Sequence, residues 1–341
     1  MYAWLRHGLF ALPPELAHDL TLTALRLGAP VGLPGLFAPD AVSDPVRLMG
    51  LEFGNRVGLA AGLDKNGDCI DGLGRLGFGF LEVGTVTPRP QPGNPKPRLF
   101  RLPEAQAIIN RMGFNNRGVD HLVERLKCRR HRGVVGANVG KQKDTPNERA
   151  IDDYRYGLER LYPWCDYLTI NISSPNTRNL RHLQDAGPLA ELLSELVSCG
   201  QRLAREHGSV RPLLVKIAPD WKEADLRKSL EVIGASGIDG LIATNTTVSR
   251  AGVSGLPHAD EPGGLSGAPL LRRANRVLKI ARETLGPGFP IIGCGGIMRP
   301  ADALAKLRAG ADLVQVYTGF VYHGPELIRA CALALAGQSR P

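Results

Sequence analysis

The sequence predicts an α/β fold, a (β/α)8 TIM barrel preceded by an N-terminal helical hairpin. Beyond Arg56, short apolar strands alternate with helical segments, and the strands end in polar residues. An open doubly wound sheet is less compatible, because Gly62 to Asn66 is not a glycine-rich dinucleotide loop. The eight predicted strands are Val57–Ala61, Phe80–Val83, Val134–Val139, Tyr167–Ile172, Leu213–Ile217, Gly240–Ala243, Pro290–Gly293 and Leu313–Tyr317. The predicted helices include Gly118–Arg130, Pro188–His207, Glu223–Ala235, Leu271–Leu285 and Ala301–Ala309, with a last one near Pro325–Ala336.

The first forty residues differ from the rest and are predicted to form a separate segment, 1–40, before a barrel domain, 41–341. Leu5, Leu9 and Phe10 indicate one short amphipathic helix. A second apolar stripe follows Pro13-Pro14 and consists of Ala17, Leu20, Ala24 and Leu27. With Tyr2 and Trp4 exposed, this hairpin is suited to a membrane interface; the alternative is that the stripes pack on the barrel. A tight β-hairpin is expected around Met49-Gly50.

Composition limits the class of protein. The chain has 341 residues, 43% of them hydrophobic, and no apolar run approaches the ~20 residues of a membrane span. No signal peptide is recognisable, and the six cysteines lack a C-x-x-C pair, so we expect a reducing cytosol and no metal site. A formal charge of +9 favours anionic partners, but the basic residues are dispersed and no nucleic-acid module is evident.

Polar residues follow each predicted strand, at the end where barrels carry their active sites. The richest stretch is Asn171 to Thr177, in which Ser174 stands between two carboxamides and is able to exchange a proton. Lys216 lies within an apolar strand, and Gly295-Gly296 and Thr318-Gly319 follow the last two strands, where barrels commonly bind phosphate. The pattern predicts a phosphorylated cofactor. The long segment between the second and third strands, through Asn110 to Asn116, is also expected to be functional.

Eight motifs in order resemble the class 2, quinone-linked, membrane-associated dihydroorotate dehydrogenases. They are Ala60–Lys65, Gly84–Pro90, Asn110–Asn115, Asn171–Thr177, Lys216–Asp220, Ala243–Thr247, Gly263–Gly267 and Gly293–Ile297. The resemblance covers essentially the whole chain. It implies an FMN enzyme that oxidises (S)-dihydroorotate to orotate and passes the electrons to a membrane quinone, in de novo UMP synthesis.

The resemblance also implies roles for individual residues. Ser174 is the catalytic base, with Thr177 and Phe114 along its proton path. The substrate is bound by Lys65, Asn110, Arg111, Met112, Gly113, Phe114, Asn171, Asn176, Asn245 and Thr246. The FMN site is formed by Ala61, Gly62, Leu63, Asp64, Lys65, Thr85, Asn138, Asn171, Lys216, Thr244, Gly267, Gly296, Tyr317 and Thr318. Further expectations are an anionic phospholipid partner, a peripheral position on the cytoplasmic side of the inner membrane, no iron-sulfur subunit, and a monomer.

Two positions depart from the family pattern. Arg178-Asn179 stands where Pro-Gly is common, so the lid over the substrate is expected to differ in mobility. Cys294 replaces an expected aliphatic residue and is expected to pack rather than react.

Three rival interpretations remain. A soluble class 1 enzyme would typically carry cysteine as the base and lack the N-terminal helices. An FMN barrel with another substrate, and a non-enzymatic binding module, account for fewer of the motifs.

Overall fold

The computed structural model of the protein describes residues 2–338; Met1 and 339–341, the outer ends of the two predicted segments, lie outside the described residues. The strands are β1 (Val46–Leu48), β2 (Leu51–Phe53), β3 (Val57–Leu59), β4 (Phe80–Val86), β5 (Leu99–Leu102), β6 (Ala107–Asn110), β7 (Val134–Val139), β8 (Tyr167–Asn171), β9 (Leu213–Ile217), β10 (Gly240–Ala243), β11 (Gly264–Gly267), β12 (Ile291–Cys294) and β13 (Leu313–Val316). The helices are α1 (Tyr2–Ala11), α2 (Pro14–Gly28), α3 (Ile70–Leu73), α4 (Val119–Lys127), α5 (Ala150–Leu161), α6 (Ala186–His207), α7 (Glu223–Ala235), α8 (Leu271–Leu285), α9 (Pro300–Arg308), α10 (Thr318–His323) and α11 (Pro325–Leu335).

Eight parallel strands close into a barrel, which confirms the predicted fold. The order around the barrel is β3, β4, β7, β8, β9, β10, β12 and β13, and β13 pairs with β3 to close it. These strands are buried throughout, because the barrel interior covers one face and the helices cover the other. All the carboxyl ends of the strands therefore meet at one face.

The opposite end of the barrel is closed by the predicted hairpin of β1 and β2. Phe53 of β2 contacts Phe80 edge to face, with ring centroids 5.1 Å apart, at the bottom of the interior. Gly58 and Gly136 leave room for the aromatic rings inside, since a Cβ at either would lie within 2.5 Å of the Phe80 or Tyr167 ring. An apolar plug thus fills the lower half of the barrel, and polar side chains occupy the upper half.

A small antiparallel sheet stands on the carboxyl face. It has the order β11-β6-β5, and its strands come from the long segment after β4 and from the segment after β10. The sequence predicted a functional loop here but not a sheet. One side of the sheet packs on its own apolar cluster, including Phe100, Ile109 and Leu265, and this fixes the wall of the cleft described below.

The N-terminal helices dock on the barrel rather than standing apart. The Tyr2 hydroxyl donates to the carbonyl of Val321 at 2.6 Å, and Phe10 packs edge to face on Tyr322. Tyr2 is therefore half-buried, which corrects the expectation that it is exposed. Trp4 is 84% exposed, and the outward apolar residues of the hairpin are Leu5, Leu16, Leu20 and Leu27, whereas Leu9 and Phe10 are half-buried. No helix within residues 2–338 combines the length and apolarity that a membrane crossing requires.

Candidate active site

A fully buried carboxylate, Glu82, organises the polar half of the barrel interior. Its Oε1 accepts a hydrogen bond from Asn138 at 2.8 Å and lies 3.9 Å from the Lys216 ammonium. Its Oε2 accepts hydrogen bonds from Gln315 at 2.8 Å, Tyr167 at 3.0 Å and Thr169 at 3.3 Å. Because a buried charge must be paired and hydrogen-bonded, Glu82 fixes Lys216 beneath the carboxyl face. Sequence reasoning missed Glu82; the available signal was an acid at an inward position of an apolar strand.

A chain of amides connects this layer to the strand ends. The Asn171 amide donates to Thr85 at 2.9 Å and to Asn138 at 3.2 Å, and its oxygen accepts the Ser173 hydroxyl at 2.8 Å. The Asn245 amide in turn donates to the Ser173 hydroxyl at 2.9 Å. Asn171 thus has protein partners for both its donor and its acceptor atoms. Its side chain positions its neighbours as well as lining the cleft.

Ser174 lies above this chain, with 5% of its surface exposed. Its hydroxyl oxygen accepts the backbone N–H of Asn176 at 3.2 Å. The Asn176 amide donates to the side-chain oxygen of Asn110 at 3.2 Å and to the Asn110 carbonyl at 3.1 Å. The serine hydroxyl and two carboxamides are therefore held together, and the N–H directed at the oxygen stabilises negative charge on it.

Arg181 ties together the loops after three successive strands, β8, β9 and β10. Its guanidinium donates to the Ser173 carbonyl at 3.0 Å, to the Asp220 carboxylate at 2.9 Å and to the Thr246 carbonyl at 2.9 Å. Burial lowers the pKa of Arg181, and the Asp220 carboxylate opposes that shift. Arg181 and Asp220 were not predicted, and together they fix the two segments that carry the polar residues.

The second helix reaches the mouth of the site. Burial and the neighbouring Arg98 guanidinium lower the pKa of Lys65 to about 8, while Glu15 and Asp64 oppose that shift. Glu15 forms an ion pair with Arg98 at 2.8 Å. Burial and the Lys65 ammonium lower the pKa of His18 to about 3, so its imidazole is neutral. Helix α2 therefore supplies a carboxylate and a neutral imidazole beside Lys65.

Most of the predicted site residues surround one cleft on the carboxyl face, about 990 Å³ in volume with its open mouth included. They are Ala61, Gly62, Lys65, Thr85, Asn110, Met112, Gly113, Phe114, Asn171, Ser174, Asn176, Lys216, Thr244, Asn245, Thr246, Gly267, Gly296, Tyr317 and Thr318. Residues that line the cleft but were not among the predicted site residues are Ala60, Pro175, Ser266, Leu270, Cys294, Gly295, Ile297, Gln315 and Gly319.

The structure places five predicted site residues behind the wall of the cleft. Asn138 is fully buried under Thr85 and Asn171, and the Asp64 carboxylate accepts the backbone N–H groups of Asp68 and Cys69. Arg111 points away to an ion pair with Glu261 and lies over the Phe100 ring. Leu63 and Thr177 are buried without lining the cleft. These side chains support the wall of the cleft.

Known proteins match this chain over its length. The sequence profile of the dihydroorotate dehydrogenase family matches residues 45–336. The chain belongs to the dihydroorotate dehydrogenase family. It is similar to a protein of Paraburkholderia phymatum named dihydroorotate dehydrogenase (quinone), with 56% identity over 336 residues and 98% of each chain covered. A Methylococcus capsulatus protein of the same name is 56% identical over 324 residues, 95% of each chain.

A solved dihydroorotate dehydrogenase has the same fold. The structure of the Eimeria tenella enzyme in complex with ferulenol superimposes with a TM-score of 0.88 at 38% identity, and the match covers 97% of this chain and 93% of that one. The family resemblance predicted from the motifs is therefore confirmed. Membership in the dihydroorotate dehydrogenase family implies a flavin cofactor.

The loops after β12 and β13 fit the phosphate of such a cofactor. Gly295 and Gly296 have φ values of 103° and 86°, and a Cβ at Gly296 would lie 2.4 Å from the backbone of Leu271. Only glycine is readily accommodated here, and it brings the backbone close to the cleft. Within residues 2–338, the N–H groups of Gly295 and Gly296 donate to no backbone carbonyl. Adjacent N–H groups that no carbonyl accepts suit an anion.

The two departures from the family pattern have structural explanations. Asn179 has a φ of 57°, in the left-handed region that asparagine tolerates better than other non-glycine residues, so it can stand where the family has glycine. Its carbonyl accepts a hydrogen bond from Asn147 at 2.8 Å. Cys294 is buried, and burial raises the pKa of its thiol, as expected for a packing residue rather than a nucleophile.

Proposed function

We propose that this dihydroorotate dehydrogenase oxidises (S)-dihydroorotate to orotate with FMN as the hydride acceptor and a membrane quinone as the final electron acceptor. The reaction is the oxidation step of de novo UMP synthesis. The observation that carries the proposal is a single cleft in which Ser174, four carboxamides and a buried lysine converge at the end of the barrel. The four carboxamides belong to Asn110, Asn171, Asn176 and Asn245.

Ser174 is the base that removes the proton from the ring carbon next to the carbonyl. A serine hydroxyl is weakly basic, so its environment has to stabilise the charge that develops on Oγ. The Asn176 N–H, 3.2 Å from Oγ, supports this role. Thr177, near the base in sequence, and Phe114, in the cleft wall, would line the path by which the proton reaches solvent. Loss of that proton and of a hydride from the carboxylate-bearing carbon leaves the ring double bond of orotate.

The asparagines and Lys65 orient the substrate. Asn110, Asn176 and Asn245 present amide donors and acceptors to the pyrimidine edge, and Thr246 lies next to them. Asn245 is held in place by Ser173 and by the N–H of Thr246, 2.7 Å from its oxygen. Lys65, charged below a pH of about 8, attracts the substrate carboxylate. Fixing the ring in this way aligns the reacting carbon atoms of the substrate for the chemical step.

When bound, FMN supplies the two-electron acceptor and passes the electrons to quinone. Ala61, Gly62, Thr85, Thr244, Gly267, Tyr317 and Thr318 line the cleft where it would be held, with Gly295 and Gly296 at the phosphate. The Lys216 ammonium offsets the negative charge that arrives with the electrons. The wall of the FMN site is supported by Asn138, Leu63 and Asp64. The substrate side of the cleft is shaped by Arg111 and Met112.

The first segment, 1–40, gives quinone access to the cleft, and 41–341 is the catalytic barrel. Trp4, Leu5, Leu16, Leu20 and Leu27 present an exposed apolar surface on α1 and α2. The same α2 places Glu15 and His18 next to Lys65 at the mouth of the cleft. A lipophilic quinone could therefore enter from a membrane on which this surface rests. We place the protein peripherally on the cytoplasmic side of the inner membrane, as a monomer without an iron-sulfur subunit.

Ser174→Ala tests the chemistry. The variant is expected to retain FMN, seen as flavin absorbance, while anaerobic mixing with dihydroorotate bleaches the flavin roughly 10²- to 10⁴-fold more slowly, as for loss of a positioned base. Ser198→Ala, which removes an exposed serine hydroxyl on α6, away from the cleft, is the matched control and should keep the wild-type rate. Wild-type bleaching kinetics in the Ser174→Ala variant would refute the assignment of the base.

A chain starting at Ala41 tests the quinone path. It should retain FMN and its reduction by dihydroorotate but lose quinone reduction and liposome binding. Because the truncation also removes Glu15, full-length Glu15→Gln is the control for the lost charge beside Lys65. Full quinone turnover by the truncated protein would reject the access role, and loss of both half-reactions would show that the helices are needed for the barrel itself.

A further inference from the structure

A second cavity lies where the end of α2 meets the barrel, and it shares no lining residue with the active-site cleft. It encloses about 1120 Å³ with its open mouth included. Six arginines line it, from α2, from the segment after α3, and from the end of α4 and the residues beyond: Arg26, Arg75, Arg125, Arg129, Arg130 and Arg132. We refer to it as the arginine cavity.

The walls of the arginine cavity are held by specific contacts. The Cys69 thiol donates to the carbonyl of Leu22 at 3.1 Å, and a Cβ at Gly72 would lie 2.8 Å from the carbonyl of Leu25. Glycine at position 72 therefore lets α2 approach the barrel closely, one residue before Arg26. On the other side, the Asp71 carboxylate accepts the backbone N–H groups of Arg130 and His131 at 2.8 and 2.9 Å. These contacts fix the backbone segments that carry the arginines.

The positive charge of the arginine cavity is not balanced by the protein. Its two lining carboxylates are Asp68 and Asp71. Asp68 is shared among Arg117, Arg125 and His121, while Asp71 accepts the backbone N–H groups named above.

Four of the six guanidinium groups have no ion-pair partner in the described part of the chain. Within residues 2–338, the side chains of Arg26, Arg75, Arg130 and Arg132 form no hydrogen bond or ion pair. Arg129 pairs with Asp166, yet its Nη1 is buried without a partner. Converging guanidinium groups with free donors are the usual protein ligands of a phosphate group.

The surface beside the cavity is apolar. The side chains of Leu27, Val31 and Leu36 are 67%, 80% and 73% exposed, and Leu33 and Phe37 are also exposed. They directly follow Arg26 and flank Ala29 and Pro30, which line the cavity. A free phosphate would gain nothing from these side chains, whereas the acyl chains of a lipid would bury them.

We infer that the arginine cavity binds the phosphate group of an anionic phospholipid, while the apolar side chains of residues 27–37 enter the lipid surface. The inference rests on the membrane association in the proposed function and extends it, because the end of α4 makes the barrel itself part of the membrane contact. Arg6, by contrast, donates to the Tyr322 carbonyl at 2.9 Å and is engaged within the protein.

The test uses the full-length FMN-loaded protein and sedimentation with vesicles of phosphatidylcholine, alone or with one-third phosphatidylglycerol. Arg130→Gln/Arg132→Gln should bind the anionic vesicles roughly 25-fold more weakly, since each of the two basic residues near an anionic surface contributes roughly a factor of five. Arg205→Gln/Lys228→Gln removes the same charge from exposed positions on α6 and α7 and should bind like wild type. Equal binding by the two double variants would overturn the inference, and so would wild-type protein that does not distinguish the two vesicle compositions.

Two further experiments complete the test. The first distinguishes a phospholipid from free phosphate as the ligand, and the second tests the proposed function separately from the lipid site. Val31→Ser/Leu36→Ser, at two exposed positions outside the quinone-access surface, should also weaken vesicle binding. A lipid source is overturned if that variant binds vesicles normally while inorganic phosphate, at matched ionic strength, raises the Tm of wild type but not of Arg130→Gln/Arg132→Gln. Turnover with a short-chain quinone in detergent should be unchanged both in Arg130→Gln/Arg132→Gln and in the variant of the neighbouring apolar side chains. If wild type binds anionic vesicles through the arginines yet lacks this turnover, the proposed function fails and the lipid site stands.

Discussion

Replacing Glu82 by glutamine removes the charge opposite Lys216 while keeping the size of the side chain. The carboxylate accepts three hydrogen bonds at Oε2, so the new NH2 group would occupy the Oε1 position. There it would face the Asn138 amide at 2.8 Å and the Lys216 ammonium at 3.9 Å. Asn138 cannot rotate its amide without loss, because its oxygen accepts hydrogen bonds from Thr85 and Asn171. The two N–H donors of the new amide would therefore face the Asn138 N–H donor and the Lys216 ammonium.

The distance gives the size of the effect. Two unit charges 3.9 Å apart interact by about 4 kcal/mol at an effective dielectric constant near 20. Removing one partner of a buried ion pair typically costs about 3–5 kcal/mol, because the other charge remains buried without compensation. Glu82 is fully buried and Lys216 is 4% exposed, so solvent screens the pair little. We expect Glu82→Gln to lower the free energy of unfolding by this amount.

The assay is urea unfolding followed by circular dichroism at saturating FMN, for Glu82→Gln, Lys216→Met and the double variant. The double-mutant cycle should give a coupling energy of about 4 kcal/mol between the two side chains. Tyr167→Phe removes a neutral hydrogen bond to Glu82 and leaves the charges intact, so it should couple much more weakly to Lys216→Met. A Glu82–Lys216 coupling of about 1 kcal/mol or less, as for an exposed pair, would refute the reasoning.

Two further predictions concern Lys65 and Asn179. Because the Lys65 pKa is lowered to about 8, its charge is present below that pH and lost above it, so orotate affinity, followed by flavin absorbance, should fall as pH rises through about 8. Lys65→Met should bind more weakly at every pH and show no such break; the same break in that variant would assign it to another group. Asn179 has a φ of 57°, so Asn179→Gly should leave stability within about 0.5 kcal/mol, whereas Asn179→Val should cost about 1–2 kcal/mol. Equal Tm values for the two Asn179 variants would contradict the role of the left-handed conformation.

The barrel could be predicted because its strands are buried on both faces. Such strands appear in the sequence as continuous apolar runs, and the polar residue that ends each run marks the active-site face. Apolar runs that contain or precede Asn171 and Lys216 predict both residues at the active-site face. The three-stranded sheet of β5, β6 and β11 could not be found by the same rule. Its β5 strand alternates half-buried and buried residues, and β11 pairs with a strand more than 150 residues earlier in the chain.

The interior network illustrates a different limit. Glu82 binds Tyr167 and Gln315, which are 85 and 233 residues away, and no local pattern links them. Only the alternation of side chains in β4 was available, since Phe80 and Glu82 share the inward face. A carboxylate at such a position requires donors from other strands, so its presence predicts a polar layer but does not identify the partners.

Motif resemblance, in turn, does not separate residues that face the cleft from those that support it. Asn138, Asp64 and Arg111 lie in matching motifs, yet Asn138 and Asp64 hydrogen-bond within the wall and Arg111 pairs with Glu261. A supporting residue fixes the geometry of its neighbours as strictly as a contacting residue fixes the ligand. Both kinds therefore occur within the same motif, and only the three-dimensional contacts distinguish them.

Helix α2 of the N-terminal hairpin contributes to the electrostatic environment of the active site. Burial and the Arg98 guanidinium lower the Lys65 pKa, and Glu15 of α2 opposes that decrease. The same helix carries the neutral His18 beside Lys65 and continues to Arg26 in the arginine cavity. A displacement of α2 on the membrane would therefore change the charge environment of Lys65, which the proposed function assigns to the substrate carboxylate. Through this helix, the proposed lipid contact and the proposed quinone entry would be coupled to substrate binding, although different residues are assigned to each.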